Sequence, residues 1–428
     1  MKNSKIKNIL AKEILDSRSN PTVEVDLVTD FGSFRASVPS GASRGKYEAK
    51  EIRNGGKRHS GLGVQKAIKN INEIITPRLK GKDVIYQKKI DDLMIELDKT
   101  EDKSNLGANA ILAVSLAVCR AGAAAKNLPL YLHILELVKN SSRPILPLPC
   151  FNLIEGGLHA ETSLDFQEFM IVPQEKSFSE NLRIATEIYH KLKEIISQRY
   201  GKGATNLGDE GGFAPPLRFP EQALELILMA AKNLNYEKKT RFILDVAASQ
   251  FFLPPDQNFG SGGKEERYKM GLGVFTREGL ARYYEDLIKK YPILGLEDPF
   301  AETDFEGWQL IMSNVKAQMS DFLVIGDDLT VTNPQRIKLA KEKSACNAMI
   351  VKINQIGTVS EAIMAVKLAK TYGWKIIVSH RSGETTDDFI SDFAVGIEAD
   401  FIKAGAPARA ERLAKYHRLL KIEEELGR

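Results

Sequence analysis

Cysteine is scarce in this chain. The three residues, Cys119, Cys150 and Cys346, are odd in number, far apart and in no C-x-x-C pair. That argues against a disulfide framework or a structural zinc site and for small buried thiols in a reducing compartment. Long apolar runs are also missing. The most apolar stretch, Ala108 to Ala125, is interrupted by Arg120 and is too short for a bilayer, so it reads as a core helix. The N-terminus alternates Lys and Asn with single apolar residues and carries no signal-peptide pattern. A cytoplasmic protein without a membrane partner is expected. No sign of charge dominates either, since 60 basic and 56 acidic residues leave a net +4. No basic stripe interleaved with aromatics points to nucleic acid. Internal repeats and low-complexity tracts are absent.

What remains is ordinary globular composition, 43% hydrophobic and 27% charged. The 428 residues leave room for two domains. Residues 21–28, PTVEVDLV, alternate polar and apolar as a half-buried strand does, and 31–38 supply a second strand. The small-residue loop VPSGASRGKYEA follows and should be mobile, and residues 63–140 are mostly helical in pattern. The proline-rich SSRPILPLP marks the boundary, giving a small antiparallel sheet with helices in 1–140 and an α/β barrel in 141–428. Barrel strands begin with LPCFNLI and QEFMIVP, and 252–268 reads as an exposed loop or hairpin.

The second half repeats one unit: an apolar run ending in a charged residue, then a capped helix. Runs end near Asp245, Glu297, Asp327, Lys352, His380 and Lys403, the last five separated by 30, 25, 28 and 23 residues. In an α/β barrel the carboxyl ends of the strands are where chemistry is assembled, because the packed interior leaves only that mouth open. A single such charge is as readily a structural ion pair. Six in register with the repeat point to a site.

Asp245, Glu297 and Asp327 offer oxygen ligands without His or Cys, a set that suits a hard cation such as Mg²⁺. The adjacent Asp298 and Asp328 are equally possible ligands on sequence alone. Lys352 is either their ion-pair partner or a general base, its pKa pushed down by a metal and by Lys403. NLGDEGGFAPP sets Glu210 between glycines, SHRSGE offers His380, Arg381 and Ser382 as an anion clamp, and EGGLHA places His159 in a glycine loop.

These motifs together resemble the enolase family over the whole chain. ILDSRSNPTVEVDL, VPSGAS, GANAILAVSLAV, QEFMI, GDEGGFAP, LDVAAS, LEDP, GDDLTVTN, VKINQIGT, VSHRSGET and KAGAPARAERLAKY occur in family order. The resemblance implies a Mg²⁺-dependent hydro-lyase interconverting 2-phosphoglycerate and phosphoenolpyruvate, with two Mg²⁺ per site. It implies Lys352 as the base at C2, Glu210 as the acid at the C3 hydroxyl, and an ene-diolate stabilised by metal, the general scheme of enolase-superfamily sites. By the same resemblance Asp245, Glu297 and Asp327 hold the first Mg²⁺, and Ser43 joins the second. His159, Gln167 and Glu168 line the leaving-group side, Glu168 and His159 with catalytic roles. Arg381 and Ser382, beside His380, meet the phosphate, and Lys403 meets the carboxylate. A homodimer or higher homo-oligomer is expected, with Glu24 facing Lys421 and Lys12 facing Glu424 across subunits. A secondary cell-surface or secreted pool is compatible with the family.

The chain departs from the usual family pattern at Arg44, Glu155, Thr162, Gln250 and Ser19, positions where Thr, Asn, Asn, Glu and Gly are usual. Two alternatives therefore stay open here. One is a paralogue acting on a related phosphorylated or phosphonylated acid, and the other is a non-catalytic binding protein on the same scaffold.

Overall fold

The opening alternation becomes a three-stranded antiparallel sheet in the computed structural model, which describes residues 3–41, 45–139, 143–160, 162–254, 266–271, 273–316 and 319–427. β1 (Asn8–Leu15), β2 (Pro21–Thr29) and β3 (Gly32–Ser37) pair in that order. In β2, Val23, Val25 and Leu27 are buried while Glu24 and Asp26 stay partly exposed, so one face is apolar. β1 was not anticipated, although Ile9 and Ala11 are buried between exposed Asn8 and Leu10 in the same period-two pattern. The helix Ala108–Ala125 packs on β2 and β3. It is long and apolar enough to cross a membrane by length and composition, but 83% of it is buried within the fold.

The second half closes into an eight-stranded barrel. Its strands are β4 (Leu148–Glu155), β5 (Glu168–Pro173), β6 (Thr240–Asp245), and then, after a small side sheet, five more. That side sheet is β7 (Phe252–Leu253), β8 (Arg267–Met270) and β9 (Gly273–Phe275). β7 and β8 pair antiparallel at the two ends of the expected hairpin, whose residues 255–265 lie outside the described ones. The remaining barrel strands are β10 (Ile293–Glu297), β11 (Leu323–Gly326), β12 (Ala348–Val351), β13 (Lys375–Ser379) and β14 (Phe401–Lys403), with β14 closing on β4.

One strand runs against the rest. β5 is antiparallel to β4 and β6, placing Glu168 opposite both Glu155 and Asp245. Its first residue, not its last, therefore reaches the functional rim.

Strand alternation delivers the site. Ile243, Ile325, Ile350, Ile377 and Phe401 belong to one small apolar cluster contributed by alternate residues of the strands. Two residues further on, each of these strands carries its polar group on the same side: Asp245, Asp327, Lys352, Ser379 and Lys403.

The N-terminal part is pinned to the barrel by polar contacts. Arg120 pairs with Asp387 and Asp388 at 2.7 and 2.9 Å, and Lys103 with Glu361 at 2.9 Å. Asp91 accepts the Ser360 N–H and hydroxyl, and Ser40 bridges to Gly383.

Candidate active site

A polar pocket opens at the barrel mouth, lined by Glu168, Asp245, Asp327, Lys352, Lys403 and residues of the loops above them. Lys403 is 3% exposed, and its Nζ stands 2.9 Å from both oxygens of Glu297, 3.3 Å from Glu168 and 3.8 Å from Asp245. Burial opposes its charge, but these carboxylates outweigh burial and hold the ammonium well above the ordinary lysine range.

Lys352 pairs with Asp327 Oδ2, whose other oxygen accepts from Gln355 Nε2 at 3.1 Å. The depression expected of Lys352 depends on a bound metal as well as on Lys403. Burial, Arg381 and Lys403 push it down, yet the Asp327 contact prevails and raises it. Asp327 itself is held low by Lys352 and Lys403 against its burial.

The opposite wall carries Glu210. Its Oε2 lies 3.1 Å from His380 Nε2 and accepts from Asn152 Nδ2 at 3.3 Å. His380 Nδ1 receives the Arg412 guanidinium at 2.6 Å, so the neutral ring keeps its proton on Nε2, toward Glu210. Burial drives His380 down to about 3 and His159 down to about 4, so both imidazoles are neutral at physiological pH. Burial works to raise Glu210, but the His380 N–H directed at it and the charge of Arg412 hold it down. Glu168 goes the other way, raised by burial and by the charge of Glu210. His159 Nδ1 stands 3.6 Å from Glu168 and 3.7 Å from Glu210, so the two acids meet around one imidazole. Gln167 contacts His159 Nε2, and Gln250 Nε2 donates to Gln167 Oε1 at 2.9 Å, so this departing residue orients the amide.

A third side comes from the N-terminal part. Arg381 Nη1 lies 3.0 Å from Glu48 Oε2 and donates to Asn354 Oδ1 at 3.1 Å, and Ser382 lines the same pocket. Ser43, expected near a second metal, lies outside the described residues, as does Arg44.

The acids at the strand ends differ in what surrounds them. Asp298 accepts the Asp327 N–H at 2.9 Å and the Asp328 N–H at 2.8 Å, so both its oxygens are engaged by backbone. Glu297 and Asp245 pair directly across β10 and β6, and Asp327 lies two residues past Ile325, the β11 partner of Glu297. Among the described residues, two groups bring ligand-type atoms within 4.8 Å of one another, close enough to hold an ion: His159, Glu168 and Glu210, and Asp298, Asp327 and Asp328. Asp245 and Glu297 instead converge on Lys403.

Glu48, Asn152, Gln355 and Arg412 were not anticipated as parts of the site. Each sits inside or beside a motif already singled out, and each acts through a partner far away in the chain. Arg412, for example, also donates to the carbonyls of Arg381 and Asp209, fixing the rim on which His380 stands.

Known proteins agree with this architecture. Residues 6–134 match the family model described as enolase, N-terminal domain, and residues 143–428 the one described as enolase, C-terminal TIM barrel domain. An enolase of Mastigamoeba balamuthi is 52% identical over 427 residues, covering 99% of this chain and 96% of that protein. With both family domains matched in order and a relative similar from end to end, the chain belongs to the enolase family.

Proposed function

We propose that the chain interconverts 2-phosphoglycerate and phosphoenolpyruvate, with 1–140 as a capping domain and 141–428 as the catalytic domain. The observation that carries this reading is the division of one pocket into two walls. Lys352, paired with Asp327, belongs to one, Glu210 with His159 and His380 to the other, and Lys403, bonded to both Glu297 and Glu168, joins them.

Lys352 takes the C2 proton. The C3 hydroxyl leaves as water, taking a proton from the acidic pair in which Glu210 is the acid and Glu168 its neighbour, and the C2–C3 double bond forms. His159 and Gln167 orient the departing hydroxyl. Lys403 meets the substrate carboxylate, and Arg381 and Ser382, beside His380, bind the phosphate.

The donor set fits a hard divalent cation. Asp245 and Glu297 are both raised by burial, Asp245 further by the charge of Glu297, a conflict that a cation at this rim relieves. Asp245, Glu297 and Asp327 would hold one Mg²⁺, and Ser43 with the substrate phosphate a second. Such a metal would supply positive charge against the charge developing on the substrate carboxylate. A cytoplasmic homodimer or higher homo-oligomer completes the reading, with Glu24 facing Lys421 and Lys12 facing Glu424.

The test is absorbance of the enol ester formed from 2-phosphoglycerate, with and without Mg²⁺. Metal-dependent turnover on the order of 10 per second supports the reading. Metal binding without product would redirect it to a related phosphorylated acid.

A further inference from the structure

Glu155 ends β4 and is 0% exposed, yet it does not line the pocket. Its two oxygens are engaged by one loop: Oε2 accepts the Glu210 N–H at 3.1 Å and Oε1 the Gly212 N–H at 2.5 Å. The loop is shaped around this carboxylate. A Cβ on Gly208 would overlap Glu155 Oε2, and one on Gly212 would stand 2.9 Å from Oε1. Backbone bonds hold the two segments in register, from Glu155 N–H to the Phe213 carbonyl and from Phe213 N–H to the Leu153 carbonyl, each 2.9 Å.

We propose that Glu155 is a positioning residue for Glu210, gripping the Gly208–Phe213 turn so that the Glu210 carboxylate stands at a fixed place against His380, Asn152 and His159. The proposal rests on the reading of Glu210 as the group that assists loss of the C3 hydroxyl. Two N–H donors on two different oxygens call for a carboxylate, because an amide side chain has one acceptor oxygen and turns an NH₂ toward the second donor. A neutral substitute therefore leaves one buried N–H unpaired and lets the turn shift. Burial and the nearby Glu210 push the Glu155 carboxyl up, and the two amides oppose that push.

The experiment compares Glu155→Gln with the unsubstituted protein in two assays on 2-phosphoglycerate and Mg²⁺: exchange of the C2 proton with solvent deuterium, which reads Lys352, and formation of phosphoenolpyruvate, which also needs Glu210. The expected result is a fall in dehydration kcat of about 10- to 100-fold, the scale of a misplaced catalytic group. C2 exchange and KM stay within roughly threefold of the parent. Unchanged dehydration, or equal loss of exchange and dehydration, overturns the proposal. Should the Gln variant not fold, Glu155→Asp carries the same comparison, since it keeps two acceptor oxygens but draws them back from the turn by one methylene. If the parent protein itself makes no phosphoenolpyruvate, the functional reading fails separately. The crystal structure of the variant then decides the positioning claim: Glu210 displaced from His380 supports it, and an unchanged 3.1 Å separation overturns it.

Discussion

Glu48 and Arg381, 333 residues apart, form a two-point ion pair across the pocket, with Nη1 to Oε2 at 3.0 Å and Nη2 to Oε1 at 3.3 Å. The planar guanidinium matches a second planar or tetrahedral anion only if this geometry is kept. Arg381→Lys should therefore raise KM for 2-phosphoglycerate by about tenfold, one lost bidentate contact, while changing kcat less. Steady-state kinetics decide it, and an unchanged KM removes Arg381 from the phosphate subsite.

The two walls should be separable by mutation. Lys352→Ala is expected to abolish C2 proton exchange and turnover together, by about 10²- to 10⁴-fold. Glu210→Gln should preserve exchange while blocking dehydration. Exchange persisting in the Lys352 variant would mean that another group is the base.

Buried Asp91 should make stability fall as pH rises. Burial raises its carboxyl from 3.8 to about 6, against hydrogen bonds from Ser360, Ser115 and Gln87. The folded protein thus holds a proton that the unfolded chain releases. This contribution is complete below pH 3.8 and is lost as pH climbs through about 6, on the order of 3 kcal/mol at about 1.4 kcal/mol per tenfold. Asp91→Asn, neutral throughout, should flatten the melting temperature between pH 4 and 6 and raise it at pH 7. A steeper dependence in the variant would be the contrary result.

Histidine works in the opposite direction. His133 is 0% exposed, with neither ring nitrogen hydrogen-bonded among the described residues, and burial lowers it to about 4. The unfolded chain takes up a proton below pH 6.5 that the folded one refuses, so stability drops as pH falls from 6.5 toward 4. His133→Leu removes two unsatisfied polar atoms. Its melting temperature should match the parent or exceed it at pH 7, with the gap widening on acidification.

Ser19 adopts φ of +60°, a left-handed conformation that favours glycine. Ser19→Gly should stabilise by about 0.5–1 kcal/mol, relief of backbone strain partly offset by a more flexible unfolded chain. Thermal unfolding of the pair measures it.

Much of the barrel rim was readable because barrel strands enforce a period of two. An apolar residue facing inward dictates that the residue two places on faces the same way, so Asp245, Asp327, Lys352 and Lys403 could be placed at one mouth from spacing alone. Local turn chemistry likewise exposed the glycine loop holding Glu210. Only the tertiary structure decided the rest. The reversal of β5 brings Glu168 to the rim by its first residue, a matter of barrel closure that no local pattern encodes. The Lys352–Asp327 contact, the meeting of Glu210 and Glu168 around His159, and the engagement of Asp298 by backbone amides depend on side chains converging from distant segments. Charge state in a buried site follows from distance and solvent exclusion. Those quantities exist only once the chain has folded.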